Sequence, residues 1–365
     1  MTGETYVDRM REPEEYPELL PLAASYEEVR EAARDWRVLS SSLNGQPHIR
    51  PYRQFPLEVD PPEHSKYRSI IGPVFERPRI VALEPEIRAV AHELIDQIHP
   101  GQPVEMVANL ALPMVIRALA VVFGRSEDDV ATWLSWGTQV FLLRDGRPDA
   151  THLQEYLARV IDESIAAPGD DVFGRIATAS VDGRPLTRNE MIGLADLVLA
   201  GGRDTVVNLI AGAVWHLGSN EADRTRLAAE PDLIPIALEE FLRYLSPLPD
   251  IPRVAVHDVV VGETVVRAGQ PGRLPFYPAN FDPTVFNDPL QIRIDRQPNP
   301  HLAFGHGPHA CIGAHLARLE GRVFLEELLT RAPDFGISQA DVRWLDVPGG
   351  RVPHRFESLH LLVRD

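Results

Sequence analysis

The sequence predicts a mainly α-helical fold with a small β region. Three observations carry this. Apolar residues recur at helical spacing through most of the chain, as in residues 79–99, where Val90, Leu94 and Ile98 fall on one face. Runs rich in β-branched residues and bounded by glycine are confined to the last third. The 365 residues include 33 prolines, against a usual share of about 5%, which suits many helices joined by sharp loops.

In order along the chain, residues 79–99 form the first strong helical pattern. Residues 109–124 are nearly all apolar and read as a buried helix. Residues 154–166 are amphipathic. Gly169-Asp170-Asp171 is a turn and N-cap cluster ahead of a helix over 172–180. Thr187-Arg188-Asn189-Glu190 is a capping box, in which the threonine hydroxyl and the glutamate carboxylate each satisfy a free backbone N–H. The pattern that follows reaches about Gly218 and predicts a continuous helix of about 45 Å. It contains Gly201 and Gly202, each unfavourable there by about 0.5–1 kcal/mol. They allow either close helix packing or room for a ligand. A further helix spans 234–244, followed by strand-like runs at 253–261, 263–267 and 273–276. Pro298-Asn299-Pro300 marks an irregular loop, residues 313–329 form the last strong helix, and residues 342–365 carry short β-like pieces.

Hydrophobic residues make up 44% of the chain and charged residues 24%, with a net charge of −17. That balance supports a large core and argues against nucleic acid or an anionic membrane as partner. The most apolar stretch, 109–124, is interrupted by Pro113 and Arg117 and is too short to span a bilayer. Residues 1–18 are acidic and lack a signal-peptide core. A single cysteine and no export signal point to the reducing cytoplasm.

That cysteine lies in Phe304-Gly305-His306-Gly307-Pro308-His309-Ala310-Cys311-Ile312-Gly313. It has no internal disulfide partner, and it stands between glycines just before a helical pattern. A helix N-terminus lowers a thiol pKa, and glycines let a flat group approach the backbone, so Cys311 is placed to act as a thiolate ligand. The competing readings are an inert buried cysteine and a zinc site from His306, His309 and Cys311. Structural zinc usually takes four ligands, and no second cluster accompanies these.

The run Phe304-Gly305-x-Gly307-x-His309-x-Cys311-x-Gly313 resembles the haem-binding signature of the cytochromes P-450. Three further stations stand in that family's order: Asp60-Pro61-Pro62-Glu63-His64-Ser65-Lys66-Tyr67-Arg68, Gly201-Gly202-Arg203-Asp204-Thr205, and Glu240-Phe241-Leu242-Arg243. The resemblance spans roughly residues 25 to 330 and is nearest to the camphor-hydroxylase-like branch of soluble bacterial enzymes. It implies a triangular, mainly α haem-thiolate fold, with a short N-terminal segment over 1–24 and a single haem domain over 25–365. It implies haem b ligated by the Cys311 thiolate, with Phe304, Gly305 and Gly313 around the sulfur. His64, Arg68, Arg253 and His309 would hold the two haem propionates, and Glu240 and Arg243 would form a structural ion pair. Asp204 and Thr205 would deliver protons to dioxygen, although an intrahelical bond to a carbonyl is the plainer role for a helical threonine. Val206 stands where many members have a second threonine.

The implied activity is monooxygenation of a small hydrophobic organic substrate, using O2 and two electrons from a ferredoxin or flavodoxin with its NAD(P)H reductase. A peroxide-driven oxygenase, an oxidative coupling enzyme and a non-catalytic haem-thiolate sensor are the alternatives. Expected pocket positions are Tyr52, Phe55, Val198, Gly201, Val206, Leu248 and Ile251. Lys66, Arg318 and Arg322 are candidate docking cations for the electron donor. The family often completes the Glu-x-x-Arg pair with an arginine before the cysteine loop. Gln291 takes that aligned position here, so an altered triad is expected. The strands before Tyr26 are expected to be reduced and the lid between Trp136 and Pro168 compact. Arg203 is expected to form a salt bridge directed away from the haem.

Overall fold

The computed structural model describes residues 20–23, 25–42, 52–138, 142–144, 147–261 and 264–364. Helices dominate, and the largest hydrophobic cluster runs through them from Tyr52 to Val363. At its centre lies the apolar segment that begins at the capping box. Thr187 accepts from the Glu190 N–H and Glu190 returns the bond to Thr187, which starts helix Arg188–Ala200. Helix Asp204–Ser219 continues it, and its flanks pack against helix Ala314–Arg331, helix Ile234–Leu245 and the C-terminal hairpin.

The central segment is therefore not one continuous helix, as its periodicity predicts. It breaks at Gly201-Gly202-Arg203. Gly201 caps the first half by donating to the Leu197 carbonyl at 3.0 Å, and Arg203 leaves helical geometry at φ −86°, ψ −83°. Two adjacent glycines resist the break least. Arg188–Ser219 is also the one stretch among the described residues long and apolar enough to cross a membrane. With 72% of its most apolar window buried inside the protein, it is the core helix of this fold.

Other boundaries shift for local reasons. The helix expected over 79–99 divides into Arg77–Ala82 and Glu84–Ile95, the second opening with a proline in its first turn. The helix expected over 172–180 stops at Ala177, because Ser180–Val181 turns into a small hairpin with Arg184–Pro185. Residues 342–365 are not separate pieces. Phe335–Val347 and Gly350–Val363 form one long antiparallel hairpin, extended by Pro103–Glu105. Register shifts after Ile337, Asp341 and Arg343 interrupt its alternation, which is why the sequence pattern looks fragmented.

A four-stranded sheet lies outside the helical body in the order Leu20–Pro21, Pro271–Pro275, Asp250–Ala255, Leu39–Ser40. It contains the one short strand described ahead of Tyr26. It also places Arg253 opposite Gly272 on a central strand.

A close backbone approach holds the 52–55 segment. A Cβ on Gly193 would lie 1.9 Å from the Arg53 carbonyl oxygen, so the 52–55 segment rests directly on helix Arg188–Ala200. Gly193→Ala is expected to lower stability by about 1–3 kcal/mol through overpacking, read as a reduced urea midpoint. An unchanged midpoint would show that this approach is not needed.

Candidate functional site

Cys311 ends a loop whose shape depends on two glycines in left-handed conformations, Gly305 at φ +68° and Gly307 at φ +74°. A side chain at Gly307 would place its Cβ 2.7 Å from the Ala33 carbonyl oxygen. Cys311 donates its backbone N–H to the Phe304 carbonyl at 2.8 Å, and Gly305 donates to Leu302 at 2.8 Å. Helix Ala314–Arg331 begins directly after, with Gly313 as its N-cap. The residue is exposed, yet the surrounding protein still desolvates its sulfur. Desolvation pushes the thiol up, while the Gly313 N–H, Arg68 and Arg318 pull it down without overcoming that push. The thiolate therefore needs a further positive charge, and a coordinated metal supplies one.

Above the loop, four basic groups converge from three elements. His64 and Arg68 sit one turn apart on helix Glu63–Ile71, His309 comes from the cysteine loop, and Arg253 comes from strand Asp250–Ala255. The His64 and His309 rings meet edge-on with centroids 4.3 Å apart. Arg68 donates to the Ala310 carbonyl at 2.7 Å, and His309 Nε2 lies 2.9 Å from Ser41 Oγ. Arg253 is buried and donates to the neighbouring Pro252 carbonyl at 2.8 Å. Both ring nitrogens of His64 are buried without a partner.

The electrostatics have one sign. Burial, then Arg68 and Arg253, lower His64 to about 4 against a weaker pull from Asp60. Burial, then Arg253, His64 and Arg68, lower His309 to about 2. Burial lowers Arg253 to about 10, with Asp60 opposing. Asp60 is itself engaged by the Ser40 hydroxyl and by the Ser41 N–H at 2.8 Å. Buried cations without counter-ions are unfavourable, so this arrangement fits an anionic ligand beside Cys311. The two carboxylates of a haem match the donors present and would satisfy the orphaned His64 nitrogens.

Beneath lies a compensated cluster. Arg243 donates to Glu240 through Nε and Nη2, both at 2.8 Å, with both side chains fully buried. Arg296 donates to the same carboxylate at 2.9 Å, Asn299 at 3.2 Å, and the Arg293 N–H at 2.9 Å. The triad is therefore complete, which corrects the expectation from Gln291. Arg296 takes the role, while Gln291 contributes only its backbone carbonyl to Arg243 and Arg296. Spacing cannot reveal this, because the intervening chain is irregular.

On the central segment, Asp204 and Thr205 begin the second helix. Thr205 Oγ donates to the Gly201 carbonyl at a long 3.4 Å. Burial raises the Asp204 carboxyl, opposed by Arg355 and Arg203. Asn208 joins this site to the C-terminal hairpin, donating to the Asp204 carbonyl at 2.8 Å and accepting from Phe356 N–H at 3.1 Å. Arg203 does not form the expected salt bridge. It is fully buried and donates to the carbonyls of Trp133, at 2.9 Å, and Gly137. Arg355 carries no motif and was not legible in the sequence.

The candidate docking cations are all neutralised. Lys66 pairs with Asp182 at 2.6 Å. Arg318 pairs with Glu239 at 2.7 Å while lying over the Phe304 ring at 4.4 Å. Arg322 pairs with Glu326 at 3.0 Å and with Glu84. Among the expected pocket residues, Val198 and Val206 are buried in the main core, and Gly201 and Leu248 are exposed. Tyr52 is buried and donates its hydroxyl to Asp196 at 2.9 Å. Phe55 packs on Tyr67 at 4.3 Å, and Ile251 packs on the separate cluster around Tyr26 and Phe276.

Comparison with known proteins gives the same answer as the geometry. A family model described as Cytochrome P450 matches residues 216–332. The chain is 35% identical over 355 residues to the mycinamicin IV hydroxylase/epoxidase of Micromonospora griseorubida, covering 93% of this chain and 88% of that protein. It is 31% identical to a steroid C26-monooxygenase of Mycolicibacterium smegmatis, covering 87% and 82%. A solved structure described as a carbohydrate active P450 superposes with a TM-score of 0.86 at 32% identity, covering 93% of this chain and 91% of that one. The chain belongs to the cytochrome P450 family. It is a P450 monooxygenase, an oxidoreductase of a family that carries a haem-thiolate cofactor.

The triad assignment separates two substitutions. Arg296→Ala should lower unfolding stability by about 3–5 kcal/mol, because it removes a buried partner of Glu240. Gln291→Ala should stay within about 0.5 kcal/mol, since its side chain is exposed. Urea unfolding of both variants checks this, and equal losses would reject the assignment.

Proposed function

We propose that this protein hydroxylates or epoxidises a small hydrophobic organic molecule with O2 and two electrons from a separate ferredoxin or flavodoxin and its reductase. The observation that carries the reading is the convergence of His64, Arg68, Arg253 and His309 beside Cys311, offset among the described residues chiefly by an Asp60 already engaged by Ser40 and Ser41. Relatives described as a mycinamicin IV hydroxylase/epoxidase and a steroid C26-monooxygenase support the reaction class.

In this reading Cys311 ligates the iron of haem b. Gly313 N–H and Arg68 bias the sulfur toward thiolate. Phe304 lies under the Arg318 guanidinium beside the loop, and Gly305, lacking a side chain, would leave room for a flat group to approach the backbone. His64, Arg68, Arg253 and His309 hold the propionates through charge-assisted bonds. When bound, the haem supplies the redox chemistry of dioxygen activation.

The chain's own work is orientation and proton supply. Asp204 is desolvated, so its carboxyl binds a proton more readily than a free aspartate, while Arg355 and Arg203 limit that rise. A carboxyl raised in this way holds and hands on a proton more readily than a free aspartate. The weak Thr205 bond to Gly201 leaves the hydroxyl able to turn and pass that proton into the cleft. The substrate lies against Gly201, Val198 and Val206 on the central segment, with Leu248, Ile251, Tyr52 and Phe55 framing the cleft.

Three measurements test this. The reduced, carbon monoxide-bound protein should show the red-shifted Soret band of thiolate ligation, and Cys311→Ser should abolish it. An imidazole-like band in the fully loaded wild type would overturn the ligand assignment. Asp204→Asn should lower substrate oxidation with NADH and ferredoxin partners by about 100-fold while leaving peroxide-supported turnover less affected. Equal losses in both assays would remove Asp204 from proton delivery.

The third concerns pH. In the haem-free protein His64 is lowered from 6.5 to about 4, so the unfolded chain binds the extra proton between those values. Stability should therefore be intact above about pH 6.5 and fall as pH drops toward 4. His64→Leu should flatten that slope in urea titrations at pH 5 and pH 7, and an unchanged slope would contradict it.

A further inference from the structure

The burial and contacts of Arg203 are explained by neither the haem nor the proton path. The residue stands between Gly202 and Asp204, at the point where the central helix breaks. Its guanidinium is fully buried. Nη2 donates to the Trp133 carbonyl at 2.9 Å and to the Gly137 carbonyl, while Nε and Nη1 have no partner. The guanidinium carbon lies 5.7 Å from the centre of the Trp136 ring. No carboxylate among the described residues lies within ion-pair distance of it, and burial lowers it to about 10, with Asp204 pulling it back up.

The acceptors explain the cost. Trp133 is in the last turn of helix Glu127–Ser135, and Trp136 and Gly137 follow its end. The last carbonyls of a helix lack intrahelical donors and carry the negative end of its dipole. Arg203 caps that end from a different part of the chain. The capped end is also built into the aromatic packing of the neighbouring helix Thr151–Ala166: Trp136 meets His152 at 5.3 Å and Tyr156 at 5.4 Å, and Trp133 meets Tyr156 at 6.0 Å. Helix Thr151–Ala166 in turn packs on helix Arg188–Ala200. One side chain therefore spans from the helix pair on this side of the cleft to the peptide unit that carries Asp204.

We propose that Arg203 is a positioning residue that couples the placement of helix Glu127–Ser135 to the geometry of Asp204 and Thr205. While the helix end is seated, its carbonyls and the Trp136 face hold the guanidinium, and the 201–203 break keeps one shape. If the helix end withdraws, a buried cation loses its acceptors, and the break must rearrange to let Arg203 find others. A substrate that seats this helix thereby also sets the acid and the hydroxyl. The proposal rests on the proton role assigned to Asp204 and Thr205, but the coupling is measurable without it.

The test is amide hydrogen exchange on the haem-loaded, full-length protein. Linkage requires that weakening either end of the contact loosens both segments. Arg203→Lys keeps the charge but loses the planar fork and the ring contact. It should speed exchange about tenfold both at residues 127–138 and at residues 200–206. Trp136→Leu leaves every residue of the central segment and every proposed haem-holding residue in place, and should speed exchange at 200–206 by a smaller factor. If Arg203→Lys loosens only 200–206, or Trp136→Leu leaves 200–206 at the wild-type rate, the coupling is wrong. Uncoupling is the second readout: both variants should divert a larger fraction of NADH electrons to peroxide. Loosening of both segments with unchanged electron use would keep the coupling and refute the proton role instead.

Discussion

The Glu240 carboxylate organises everything on the cysteine side of this protein. Residues 280–306 contain no helix or strand, and a stretch that long would ordinarily be mobile. Here it wraps around two buried arginines that the carboxylate holds. Arg243 donates to the carbonyls of Asn280, Pro289 and Gln291, and Arg296 to those of Asn287, Asp288 and Gln291. The Asn280 side chain then joins Ser246 to the Leu302 N–H, two residues before Phe304. Removing one partner from such a cluster is costly, because the remaining charges stay buried. The cysteine loop inherits its position from this chain of bonds.

The same physics distinguishes the two sides of that loop. Beneath it, buried arginines have their carboxylate and their carbonyls, and the cluster is satisfied. Above it, His64, His309, Arg68 and Arg253 press on one another, offset among the described residues by the already engaged Asp60 and, at Arg68, by Cys311. One arrangement is a completed framework, and the other is complementary to a ligand. Arg203 is a third case, a buried cation whose acceptors are the carbonyls at the end of another helix. Its contact ties the start of helix Asp204–Ser219 to that helix end.

Much of the site was legible in the sequence because its signals are local. The Phe304 to Gly313 run, the turn-spaced His64 and Arg68, and the Asp204-Thr205 pair behind two glycines each occupy a few adjacent positions. The capping box at Thr187 and Glu190 marked its helix start for the same reason. Long-range partners were not legible. Arg296 replaces Gln291 only because an irregular loop returns it to Glu240. Lys66, Arg318 and Arg322 read as free surface cations until folding brings Asp182, Glu239, Glu84 and Glu326 beside them.

Residue type and spacing by themselves determined the helical class and marked the cysteine run and the turn-spaced His64 and Arg68 as a candidate site, since turn chemistry and helical periodicity act over a few residues. Tertiary structure decided where the central helix breaks, which arginine completes the buried cluster and what Arg203 holds. Those outcomes depend on which charges lose water together, and burial is a property of elements packed from distant parts of the chain.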